Sequence, residues 1–140
     1  MNEIQAIIGL AQLDHIDEQI AARRVVDEYY RAILKDVEGI RFLDIENQEA
    51  YNYSYFPIFI EDNYPLTRDE LYFRLRDKGI YARRYFYPLI TEFEMYRNLQ
   101  NSIEYECAIK ASKSVICLPI YCGLDLETLE DVIHLIIKAQ

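Results

Sequence analysis

The sequence predicts an α+β domain: a small antiparallel or mixed sheet covered by helices on one face, led by a long N-terminal helix. Three observations predict it. Residues 2–36 carry apolar side chains at helical spacing. The runs Tyr51–Ile60 and Val115–Pro119 have the aromatic and β-branched content of strands. Helix-start signals stand at Thr67 and Asp125, ahead of two further apolar-periodic stretches.

The 140 residues read as a single domain with neither repeat nor low-complexity linker. Residues 1–36 form a connecting helix or kinked helix pair, and residues 37–140 an α+β small domain. A hydrophobic fraction of 51% and a charged fraction of 28% fit a soluble globular protein. No stretch approaches the roughly 20 apolar residues of a membrane span, and no signal-peptide pattern opens the chain. The expectation is a cytoplasmic protein without a membrane partner. The net charge of −9 argues against a nucleic-acid partner, so an anion site would need local arginines. Cys107, Cys117 and Cys122, odd in number and irregularly spaced, predict reduced, buried thiols. His15 and His134 are too distant in sequence to suggest a shared metal site.

In chain order, Ile4, Ile7, Ile8 and Ala11 begin the helical pattern. Ile16 and Ile20 continue it, then Val25, Val26, Tyr29, Tyr30 and Ile33. Gly39 lies just past its end as a stop. Thirty-five helical residues would reach about 50 Å, longer than the roughly 37 Å diameter of a compact domain this size. Either the helix breaks near Leu13-Asp14, with Asp14 capping a second helix, or its first turns pack on something outside the chain. No cap is evident before the first turn, which reads as a segment cut from a larger protein.

Ile40–Asp44 reads as a short strand. In Tyr51–Ile60, Tyr51, Tyr53 and Tyr55 alternate onto one face, and Pro57 demands an unpaired edge or a bulge. Thr67-Arg68-Asp69-Glu70 is a capping box for a helix through Lys78, with Leu71, Phe73 and Leu75 toward the core and Gly79 as its left-handed stop. Residues 80–85 read as a strand ended by Tyr87-Pro88. Glu92–Leu99 is a short helix or turn, and Asn101 caps a helix from Ser102 to Ser112. Val115–Pro119 is a buried strand. Asp125 caps the final helix, whose apolar face carries Leu129, Val132, Ile133, Ile136 and Ile137.

The densest chemistry lies in Gly79-Ile80-Tyr81-Ala82-Arg83-Arg84-Tyr85-Phe86-Tyr87-Pro88-Leu89, with four aromatics and two arginines in eleven residues. Adjacent on a strand, Arg83 and Arg84 leave opposite faces, so one of them points into any given site. A guanidinium beside aromatic rings can hold an anion and stack on a ring, and it can equally be solvated charge on an edge strand. Tyr85 and Tyr87 share one side and Phe86 takes the other. Tyr87, at the strand end beside a proline, has a hydroxyl free to reach a ligand. There is no phosphate loop, nucleophile elbow or plausibly spaced Cys-His pair. The residues by themselves describe an α+β domain lacking a self-contained active site.

Three stretches carry a resemblance. Met1-Asn2-Glu3-Ile4-Gln5-Ala6-Ile7-Ile8-Gly9-Leu10-Ala11-Gln12-Leu13 resembles the M-x-E-x-Q-A-A-x-G-x-x-Q-L helix of the DegT/DnrJ/EryC1/StrS family of pyridoxal-phosphate-dependent sugar aminotransferases. Gly79–Leu89 resembles its G-I-x-x-R-x-x-F/H-Y-P-L strand. Cys117-Leu118-Pro119-Ile120-Tyr121 followed by Leu124 resembles its L-P-x-Y/H-x-x-L ending. The match runs in order along essentially the whole chain.

The resemblance implies the C-terminal small domain, with its connecting helix, of a type I aminotransferase fold. It implies pyridoxal phosphate as the cofactor of the full-length family, and none for this chain alone. The family's Schiff-base lysine belongs to the large domain, and Lys35, Lys78, Lys110, Lys113 and Lys138 lie outside that lysine motif. It implies amino transfer from glutamate to a keto sugar nucleotide, with the missing large domain and a second copy of the chain as partners. Substrate-binding positions carry over to Arg83, Phe86 and Tyr87, with no catalytic residue in this chain. Many relatives have histidine where this chain has Phe86. An aromatic there fits relatives acting on 4-keto-6-deoxy sugars. Two other readings stay open: a free-standing α+β small-molecule-binding or dimerisation module, and a remnant that associates through its apolar surface.

Overall fold

The predicted break in the N-terminal helix is present. In the computed structural model, which describes residues 1–45, 50–85, 87–96 and 105–139, α1 (Glu3–Leu13) ends at Asp14 and α2 runs over Ile16–Leu34. The caps differ from expectation. Asn2 caps α1, accepting from the Gln5 N–H at 2.9 Å while the Gln5 side chain accepts from the Asn2 N–H at 3.0 Å. This Asn-x-x-Gln box is visible in the sequence but was not expected there. Asp14 does not cap α2; it closes α1, its N–H donating to the Leu10 carbonyl, and His15 precedes α2 without a side-chain cap bond.

Among the described residues, three strands form one antiparallel sheet in the order β1 (Ile40–Phe42), β2 (Phe56–Ile60), β3 (Val115–Leu118). Its inner face presents Phe56, Ile58, Ile60, Ile116 and Leu118 to α2, to α3 (Arg68–Asp77) and to α5 (Leu126–Ile137). Tyr30, Leu34, Leu71, Leu75, Val132 and Ile136 complete the core, each with no exposed surface. Tyr30 stacks on Phe56 at 4.8 Å and donates its hydroxyl to the Pro119 carbonyl. A further helix, α4 (Glu106–Ser114), lies at the outer face, where its Ala111 and the sheet's Phe59 line one groove. Helices therefore cover more than the single face expected.

Pro57 sits in the central strand without cost. The Cys117 N–H and C=O both pair with Arg83, on the side away from β2, so the opposed Pro57 turns its own amide positions toward β1. There β1 has already ended, its last pair being Phe42 with Ile58. The unpaired edge expected at Pro57 is this one.

β1 stops two residues short of the expected Asp44, and two other predicted strands depart further from expectation. The chain over Tyr51–Tyr55 is not a strand: Tyr53 adopts φ +52°, and the Ser54 N–H donates to Asn52 Oδ1 in a local turn. Tyr53 is consequently buried and Tyr55 exposed, so the tyrosines do not share a face. Residues 80–85 contribute a single bridge, with Arg83 N–H to Cys117 O at 3.0 Å and Cys117 N–H to Arg83 O at 2.8 Å. It cannot extend. Pro119 lacks the donor needed on one side, and on the other the Val115 N–H is taken by the Ala111 carbonyl at the end of α4.

Thr67 and Glu70 form the expected capping box, Asp125 caps α5 through the Thr128 N–H, and Gly39 and Gly79 both adopt φ +78°. Phe73 is 53% exposed and Ile137 also faces outward, against expectation. A 3-10 turn occupies Ile90–Glu92. The expected cap Asn101 and helix start Ser102 lie outside the described residues, as do positions 97–99 of the expected Glu92–Leu99 element. Among the three free cysteines only Cys117 is buried, which corrects the expectation for Cys107 and Cys122. No helix among the described residues is long and apolar enough to cross a membrane. Helix α1 buries nothing: Ile4, Ile7, Ile8, Leu10 and Leu13 are 53–69% exposed.

Candidate functional site

Arg83 is set by its bridge to Cys117, which puts its side chain on the outer face of the sheet edge, beside that thiol. It lines a cleft of about 590 Å³ with Ser54, Tyr55, Tyr81, Tyr121 and Thr128. Tyr55 is exposed here because of the turn at Tyr53, and its ring meets Tyr85 edge-on at 5.0 Å. Burial pushes the Cys117 thiol up to about 11, with Arg83 pulling the other way.

Among the described residues the Arg83 guanidinium has no hydrogen-bond or carboxylate partner, and every other described arginine has one. Arg24 pairs with Glu28, Arg31 with Asp27, Arg41 with Glu61, and Arg68 and Arg84 with Asp69. Arg23, Arg74 and Arg76 donate to the Asn52 carbonyl, the Lys138 carbonyl and the Tyr72 hydroxyl. In a chain of net charge −9, an unengaged guanidinium within a ring-lined cleft is an anion contact in waiting.

Tyr87 belongs to a different cluster. Its ring carries the Arg68 guanidinium at 4.6 Å and that of Arg84 at 4.7 Å. Arg84 also lies over Tyr72 at 4.5 Å. Arg68 is 3% exposed and donates to the Ser112 and Val115 carbonyls, at 2.8 and 3.1 Å. Arg83 and Arg84 thus leave opposite sides, as expected. Tyr85 and Tyr87 do not share a side, because the chain leaves the sheet after its one bridge and turns at Tyr85. Phe86 lies outside the described residues. The structure therefore joins Arg83 to Tyr55, Tyr81 and Tyr121, and joins Tyr87 to Arg68 and Arg84. It does not bring Arg83 and Tyr87 into one cluster. Sequence reasoning missed Arg68, having spent Thr67-Arg68-Asp69-Glu70 on its capping role.

The residues present do not fit the amine of a pyridoxal phosphate site. The cleft is lined by no lysine, and Lys35, Lys78, Lys110, Lys113 and Lys138 are all exposed, on α4 or at helix ends. No chemical step is assigned to that group in this chain.

Comparison with known proteins supplies the wider setting. The chain is 40% identical over 136 residues to the dTDP-4-amino-4,6-dideoxy-D-glucose transaminase of Shigella dysenteriae, a match covering 97% of this chain and 37% of that protein. It is 39% identical over 139 residues to the Escherichia coli protein of the same name, covering 98% and 38%. The crystal structure of DesI in the presence of its TDP-sugar product superposes with a TM-score of 0.88 at 27% identity, over 99% of this chain and 35% of that one. The fold is thus part of an aminotransferase fold, and the chain spans little more than a third of the length of the relatives it matches. The DegT/DnrJ/EryC1/StrS aminotransferase family, whose enzymes depend on pyridoxal phosphate, matches residues 1–137. The chain belongs to the DegT/DnrJ/EryC1/StrS aminotransferase family.

Proposed function

We propose that this chain is the substrate-side, C-terminal part of a nucleotide-sugar aminotransferase of type I fold, transferring an amino group from glutamate to a keto sugar nucleotide. The observation that carries the reading is the 40% identity, over 97% of the chain, to a transaminase named for a dTDP-4-amino-4,6-dideoxy sugar. The unengaged Arg83 supports it as a contact for an anionic part of the substrate. Tyr87, and Phe86 by its place in the sequence, are further substrate contacts in this reading.

The chain alone is inactive in this reading, because the amine that holds the cofactor comes from a large domain. Helix α1, apolar and uncovered, supports docking against that domain.

A chimera tests the reading. The C-terminal third of the Shigella relative is replaced by this chain, and transamination of its dTDP-4-amino-4,6-dideoxy-D-glucose is followed. Activity that falls at least tenfold in Arg83→Gln, through KM, is the expected result. A folded, cofactor-loaded chimera in which Arg83→Gln changes nothing refutes the role of Arg83. Stoichiometric metabolite binding by the isolated chain, measured by calorimetry, would instead favour a free-standing binding module.

A further inference from the structure

Tyr87 has little backbone to hold it: among the described residues its amide and carbonyl make no hydrogen bond outside regular elements, and no side chain bonds its hydroxyl. What fixes it is its ring. Arg68 and Arg84 both lie over that ring, and one oxygen of Asp69 accepts from both, from Arg68 Nε at 2.8 Å and Arg84 Nη1 at 3.2 Å. Arg68 is further anchored by two carbonyls at the junction of α4 and β3. The ring thus rests on charges tied to α3, α4 and β3 together. A guanidinium over a ring face leaves the phenol edge outward, and Tyr87 is 42% exposed.

We propose that Arg68 and Arg84, joined through Asp69, are positioning residues that hold the Tyr87 ring with its hydroxyl presented to an oxygen-bearing ligand. The ligand role of Tyr87 rests on the function proposed above; the clamp itself does not. Neither arginine touches ligand in this arrangement, unlike Arg83 on the opposite side. Preorganisation is the benefit, since a loop tyrosine otherwise loses rotamer freedom on binding.

The 140-residue chain, with 13C-labelled tyrosine rings, gives the first test. Tyr87 is assigned by its absence in Tyr87→Leu. Arg84→Gln and Asp69→Asn, both at partly exposed positions, are expected to shift and broaden the Tyr87 ring signals while those of buried Tyr30 and Tyr64 stay in place. Unchanged Tyr87 signals in both variants would overturn the clamp, and these variants keep the test open if Arg68→Gln fails to fold. In the chimera, Arg84→Gln is expected to raise KM about two- to fivefold with kcat within twofold, and Arg84→Lys to recover part of it. A moved ring with unmoved KM would overturn the positioning role. An inactive wild-type chimera whose Tyr87 still responds to Arg84→Gln sinks the proposed function and leaves the clamp standing.

Discussion

Gly39 and Gly79 have the same backbone, φ +78°, and different surroundings, so alanine at each separates conformational strain from crowding. A Cβ at Gly79 meets nothing within 4 Å, whereas at Gly39 it meets the Tyr64 Cβ and N at 2.5 Å and Cα at 2.6 Å. Gly79→Ala therefore loses only the left-handed conformational term, about 1–2 kcal/mol. Gly39→Ala loses the same term and must also displace Tyr64. That residue is held at both ends: its N–H donates to the Glu61 carbonyl, and its hydroxyl donates to the Ile136 carbonyl at 2.7 Å in the core, while the Glu61 N–H ties this turn to the Gly39 carbonyl. Overpacking of this kind adds about 1–3 kcal/mol, so Gly39→Ala totals about 2–5 kcal/mol. For a domain of typical stability, 5–15 kcal/mol, that is a large share. Urea unfolding followed by far-ultraviolet circular dichroism measures both variants. A clearly lower midpoint for Gly39→Ala at equal m-value is expected, and equal losses in the two would refute the role assigned to the Tyr64 contact.

Other consequences are open to direct measurement. Burial raises the Asp27 carboxyl above its ordinary value more than the Arg31 ion pair lowers it, and its Oδ2 has no partner among the described residues. The stability this group contributes is present at low pH and lost as pH rises through its raised folded value. Asp27→Asn, which can still accept from Arg31, should gain on the wild type as pH rises from about 4 and then level off; a gap that ignores pH contradicts this. The triple variant Ile4→Ser, Ile7→Ser, Ile8→Ser should leave the unfolding midpoint within about 0.5 kcal/mol per site and reduce self-association in sedimentation velocity. A wild-type chain that stays monomeric at high concentration counts against α1 as a docking face. At pH 8 a thiol reagent should modify Cys107 and Cys122 promptly and Cys117 only after denaturation, because that thiol is buried and pushed up to about 11. Equal rates at all three would show that β3 opens readily.

Local chemistry made much of the fold legible. The Thr67-Glu70 box, the Asp125 cap, the glycine stops and the helix break all depend on residues within a few positions of one another, and each is present. Errors arose where an end depends on a distant partner. The 80–85 segment has strand composition, but its ladder is cut by Pro119 and by a donor already committed to α4, neither visible from the segment. Tyr51–Tyr55 has the alternation of a strand, and a local turn around Asn52 and Tyr53 overrides it. Helix α1 is apolar in sequence and stays uncovered in this chain, a result periodicity cannot distinguish from burial.

For the candidate site the division is sharper. Sequence alone placed Arg83, Phe86 and Tyr87 in one short segment, put Arg83 and Arg84 on opposite sides, and pointed to the family. Only tertiary structure decided what each side meets. Arg83 alone among the described arginines is left without a partner, and no carboxylate lines its cleft among the described residues. Tyr87 answers to Arg68, nineteen positions away and read locally as part of a helix start. Charge pairing is settled by distances of a few ångströms in space, and a side chain's nearest opposite charge is a property of the folded chain.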